Sequence, residues 1–202
     1  KVSEKSYILD MVTSLDRRGP DSNDYVLLED YGNTYALGHT RLSIIDVSEL
    51  GNQPMENEKY FLVLNGEVYN YEAIRKDLIH KGVRFTSHTD SEVVLEAITY
   101  FGIDKALSLF KGMWAFSLYD KNSGETLLCR DRIGAKPLYY YFKDNTLLYG
   151  SELKSIMAYP KFNKEIDKKS LSSFLKYGYI NAPNSIFKDT FKVLPGEYIL
   201  FD

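Results

Sequence analysis

Short apolar runs separated by turn residues dominate this chain, and helical spacing interrupts them at five places. Tyr7-Ile8-Leu9 with Val12 and Leu15 has the period of a helix that must end before Gly19-Pro20. Runs at Tyr25–Leu28, Thr34–Gly38 and Leu42–Ile45 predict strands, with Tyr31-Gly32-Asn33 as a hairpin turn. Tyr60–Leu64 is continuously apolar, as a buried strand is, and breaks at Asn65-Gly66. Glu72–His80 and Val93–Phe101 have helical spacing, the second behind the capping-box sequence Thr89-Asp90-Ser91-Glu92. Met113–Tyr119 and Glu125–Arg130 flank one hairpin turn, and Pro137–Phe142 and Thr146–Tyr149 flank another. Helices at Glu152–Ala158 and Lys169–Tyr177, turns at Ala182-Pro183-Asn184 and Pro195-Gly196, and a strand at Tyr198–Phe201 complete the pattern. Antiparallel hairpins with helices between them make this an α+β chain.

Composition narrows the class. At 202 residues the chain suits one large domain with a substantial core. Seventeen tyrosines and eleven phenylalanines favour strands. A formal charge of −3 argues against a nucleic-acid partner, which needs a basic face. Apolar runs fall short of the ~20 residues of a membrane span, so no membrane partner is expected. The one cysteine, Cys129, leaves nothing to form an internal disulfide or a cysteine metal site and suits a reducing, cytoplasmic setting.

Several residues could carry chemistry. An Asn-Gly pair at a strand break offers a side-chain donor and a close-approaching backbone N–H, which together can bind an oxyanion. The same dipeptide is also a strong hairpin turn, and the residues alone leave both readings open. Arg41, beside an apolar run, suits a bidentate grip on a carboxylate or a surface ion pair. Asp90 could accept from an ammonium or serve the dipole of its helix, and Glu67 is either a second ammonium partner or an exposed acid. Cys129 falls in a strand interior, where a free cysteine behaves as a small hydrophobe. His39, His80 and His88 lack ligand spacing, so no metal is expected.

Seven blocks, in order, decide how these residues are weighted. Arg18-Gly19-Pro20-Asp21, Gly38 to Asp46 (GHTRLSIID), Gln53-Pro54-Met55, Leu64 to Asn70 (LNGEVYN), Thr89 to Val93 (TDSEV), Lys111 to Phe116 (KGMWAF) and Arg130 to Tyr139 (RDRIGAKPLY) resemble the glutaminase domain of glutamine-dependent asparagine synthetases, a class II glutamine amidotransferase. The resemblance implies the four-layer αββα sandwich of N-terminal nucleophile hydrolases. It implies that Arg41 binds the glutamine α-carboxylate and that Asp90, helped by Glu67, holds the α-ammonium. Asn65 and Gly66 would form the oxyanion hole, and backbone groups near Ile44 and Ile45 would line the pocket. It places no cofactor in this domain. ATP and Mg belong to the attached synthetase domain, which amidates aspartate with the released ammonia, and the family allows a homodimer.

The chain departs from that pattern in two respects. The family's nucleophile is a cysteine at the first position of an opening strand, expected in the middle of a sheet, whereas the sequence here starts at Lys1. Residues 1–178 would then be an amidotransferase domain lacking its nucleophile and inactive as given. Residues 179–202 would be a connector towards an absent synthetase domain. The alternatives are a synthetase relative without glutaminase chemistry, resembling β-lactam synthetases, and a scaffold domain that binds no ligand.

Overall fold

A computed structural model describes residues 4–30, 32–43 and 48–202. The chain opens with α1 (Glu4–Thr13), a 3-10 turn at Asp16–Arg18, β1 (Ser22–Asp30) and β2 (Asn33–Arg41). A short β3 (Met55–Glu56) leads into β4 (Tyr60–Val68), α2 (Tyr71–His80), α3 (Asp90–Phe101) and α4 (Ile103–Leu109). Then come β5 (Gly112–Asp120), β6 (Thr126–Arg130), β7 (Tyr139–Lys143), β8 (Thr146–Gly150), α5 (Leu153–Ala158), α6 (Lys168–Tyr177), β9 (Thr190–Lys192) and β10 (Tyr198–Phe201).

The described residues form three antiparallel sheets: β10-β6-β5-β4-β3, β8-β7-β9, and the ribbon β1-β2. Strand alternation explains how they stack. Along β4, Leu62, Leu64 and Val68 pack with Ile74 and Leu78 of α2 and Val94 and Ile98 of α3. Phe61 and Val63, pointing the opposite way, meet Leu37, Val26 and Leu28 of the ribbon. Ala115 and Leu128 likewise meet Leu138, Leu147 and Val193 around the three-stranded sheet. Helices α1 and α5 contact each other and cover the outer faces of the ribbon and of β7-β8. The order is therefore α2–α4, five-stranded sheet, the two smaller sheets, then α1 and α5. This is the four-layer αββα sandwich.

The structure alters four expectations. Asn65-Gly66 is no turn: β4 runs through both residues to Val68, opposite Ala115 and Trp114 of β5. Gly66, at φ 154°, permits this, because a Cβ there would come within 2.2 Å of the Met113 carbonyl oxygen. The segment 179–202, expected as a connector, supplies β9 to one sheet and β10 to another, so it is part of the packed fold. The strand expected at Leu42–Ile45 is not seen in its described part, since β2 ends at Arg41. Helix α4 was not anticipated from the sequence.

Candidate active site

A cavity of about 660 Å³ lies between the sheets. Strand β2 borders it on one side and β8 on the other, β4 and β5 form its floor, and Ile8 and Val12 of α1 with Ser155 of α5 and Tyr159 just after it close it from above. Strand β8 is the terminal strand of its sheet, and β2 pairs only with β1 among the described residues. Two open strand edges thus face one groove.

At one end of the groove the free edge of β4 meets the start of α3. Within β4 the odd-numbered residues 61 to 67 exchange ladder hydrogen bonds with β5, so the N–H groups of Leu64, Gly66 and Val68 point away from it. Leu64 N–H is taken by Gln53 Oε1 at 2.6 Å, and Val68 N–H by Asp90 Oδ2 at 2.9 Å. Between them lies the outward N–H of Gly66, a residue that lines the cavity. The Asn65 side chain lies on the inter-sheet face, where its Nδ2 makes a long contact of 3.4 Å to Ser151 Oγ.

Asp90 is buried at the first residue of α3. Burial raises its carboxyl above the ordinary carboxylate range, while backbone hydrogen bonds from Val68 and Ser91 pull it down and the charge of Glu67 pushes it further up. The loop before α3 is fixed by Glu92, which accepts from Thr86 N and Oγ1 and from Ser87 N and Oγ at 2.6–2.9 Å. Thr89 caps the helix by accepting from Glu92 N at 3.2 Å. The glutamate of the capping box therefore reaches residues 86 and 87 rather than its cap, and the whole turn that presents Asp90 is cross-linked.

Arg41 ends β2, is buried, and donates from Nη1 to Ser48 O at 2.7 Å and to Asn52 Oδ1 at 2.8 Å. Gly51 lies against it: a Cβ there would be 2.2 Å from Arg41 Nη2 and 2.9 Å from Thr89 Cγ2. Arg41 and Asp90 both line the cavity, as do Asn65, Gly66 and Glu67. Ile44 and Ile45, the remaining expected pocket residues, lie outside the described residues.

Two residues beside this end were not singled out by the sequence. Gln53 grips the β4 edge. His39 lines the cavity and has its pKa lowered to about 4, first by burial and then by the Arg41 charge, against a hydrogen bond with the Leu64 backbone. At the rim, Glu152 joins Arg18 and Lys154 in ion pairs of 2.8 and 2.9 Å. Cys129 is remote from the cavity chemistry. It packs in the core beneath the helices, where burial pushes its thiol up to about 12, so it is no nucleophile. Among the described residues no group of three or more His, Cys, Asp or Glu is placed to hold a metal, and no helix is long and apolar enough to cross a membrane.

Arg41, Asp90 and Gly66 thus bring a cation, an acid and a strand-edge glycine to one cavity. A family model described as a glutamine amidotransferase domain matches residues 1–202. The chain belongs to that family. This amidotransferase domain is 34% identical to a putative glutamine-hydrolysing asparagine synthetase 2 of Methanocaldococcus jannaschii, over 98% of this chain and 41% of that protein. It is 36% identical to the glutamine-hydrolysing asparagine synthetase 1 of Bacillus subtilis, over 96% of this chain and 30% of that protein. The domain thus spans well under half the length of these relatives. A solved glutamine phosphoribosylpyrophosphate amidotransferase from B. subtilis superposes on 76% of the domain and 40% of its own chain, with a TM-score of 0.63 at 20% identity. That likeness is one of fold.

Proposed function

We propose that the domain binds L-glutamine at the free edge of β4 and hydrolyses its side-chain amide to glutamate and ammonia. Arg41 would hold the α-carboxylate and Asp90, with Glu67, the α-ammonium. The amide carbonyl would then reach the Gly66 N–H and Asn65 Nδ2. A thiol attacks the amide carbon, the oxyanion is held by those two donors, and the C–N bond breaks as nitrogen gains a proton and leaves as ammonia. Water hydrolyses the thioester to glutamate and regenerates the thiol. Removing one such donor typically costs ~10²–10³ in rate.

The observation that carries this reading is that Arg41, Asp90 and Gly66 line one cavity. The thiol would come from a cysteine-bearing strand, not among these 202 residues, lying in the groove between β2 and β8. The groove supports this with two open strand edges and more room than one amino acid needs. In the longer protein, the ammonia would pass to a synthetase domain that binds ATP and Mg and amidates aspartate, in the cytoplasm.

Glutamate release tests the reading in a polypeptide that joins such a strand ahead of this domain. Release that stops on replacing the strand's cysteine by alanine is the expected result. A folded protein that leaves glutamine intact overturns it.

A further inference from the structure

Strand β3 is only two residues long, and its register with β4 sets Met55 opposite Leu62. Continued by two residues, that register would bring Gln53 opposite Leu64. There the Leu64 N–H and C=O are met by a side chain and not by backbone. The Gln53 side chain supplies the rung instead. Its Oε1 accepts from Leu64 N–H at 2.6 Å, and its Nε2 donates to Leu64 O at 3.2 Å. A carboxamide carries one acceptor and two donors, so it can act as one residue of strand and still spare an N–H. That N–H goes to Ser91 Oγ at 3.3 Å. Gln53 is buried, and Ser91 follows Asp90 at the start of α3.

One side chain therefore ties β4 to the helix start that presents Asp90. On either side of Gly66, the outward N–H groups are held by Gln53 and by Asp90. We infer that Gln53 is a positioning residue: its clamp on Leu64 fixes the direction of the Gly66 N–H towards the substrate carbonyl. The inference rests on the glutamine reading above, because it is that carbonyl which the Gly66 N–H would meet. The ends of the substrate belong to Arg41 and Asp90, so the clamp governs the reacting centre more than affinity.

The test uses the 202-residue chain, with Gln53→Met, which keeps length but makes no hydrogen bond, and Gln53→Glu, which keeps only the acceptor. Amide exchange is followed without ligand, and the Gly66 amide proton shift is followed on titration with L-glutamine, alongside its dissociation constant. In Gln53→Met, exchange at Leu64 and Gly66 should rise by about tenfold or more, with α1 and α5 unchanged. Its dissociation constant should stay within about threefold of the parent's, a change under 1 kcal/mol, while the Gly66 response to saturating glutamine is lost. Gln53→Glu should fall between the two. Should Gln53→Met fail to fold, Gln53→Glu and Ser91→Ala carry the same measurements. A folded variant with unchanged exchange at both amides and an unchanged Gly66 response overturns the inference. If the parent chain itself shows no response to glutamine while exchange still depends on Gln53, the clamp stands and the glutamine reading falls.

Discussion

The Asp90 carboxylate accepts the Val68 N–H at 2.9 Å, so the acid proposed to grip a ligand ammonium also closes the outer edge of β4. The two duties separate by substitution. Asp90→Asn keeps an oxygen for Val68 and removes the charge. It should retain the fold, with Tm within about 3 °C of the parent, and weaken glutamine binding about 10–100-fold. Asp90→Ala leaves a buried N–H without a partner and should also lose about 1–3 kcal/mol of stability. Paired calorimetry and thermal unfolding check both.

Protonation of Asp90 should couple binding to pH. Its carboxyl sits above the ordinary 3.8 in the free protein, chiefly through burial, and an ammonium ligand favours the ionised form. The pKa is therefore lower in the complex than in the free protein. Affinity should fall as pH drops from neutrality towards 3.8. Titrations stepped downward from pH 7 should show this for the parent, with a flatter response in Asp90→Asn.

Gly51 sets where the Arg41 guanidinium rests. In Gly51→Ala the new methyl would overlap Nη2, and the nearby Thr89 restricts escape. The arginine should leave the seat that Ser48 and Asn52 give it, weakening glutamine binding about tenfold or more, the cost of a lost charge-assisted hydrogen bond. A binding constant equal to the parent's would show that Arg41 does not need this seat.

His39 should make the fold acid-sensitive. Its folded pKa of about 4 lies below the unfolded 6.5, so between these values only the unfolded chain is protonated. Its contribution is fully present above pH 6.5 and is lost as pH falls towards 4. Between pH 7 and pH 5 the loss should reach about 2 kcal/mol, and urea unfolding of His39→Gln should lose correspondingly less.

Much of the fold was legible because its signals are local. The runs now forming β5 to β8, and the capping sequence of α3, announce themselves within a few residues. The middle of β4 did not. Asn65-Gly66 has the composition of a hairpin turn, and only pairing with Ala115 and Trp114 of β5, almost fifty residues on, keeps it extended. The two-residue β3, the three-residue β9 and the seven-residue α4 are too short to show a period. The site residues were visible through the ordered blocks, not singly. Gln53 stood within one of those blocks, but its role depends on Leu64 and Ser91, which no local spacing relates to it. His39 was judged only as a metal ligand, and its lowered pKa arises from burial and from Arg41.

Calorimetric titration of the folded chain with L-glutamine tests the central claim most directly. The account predicts saturable one-to-one binding that Arg41→Ala and Asp90→Asn each weaken. The absence of binding to a folded chain, or binding indifferent to both substitutions, would contradict it.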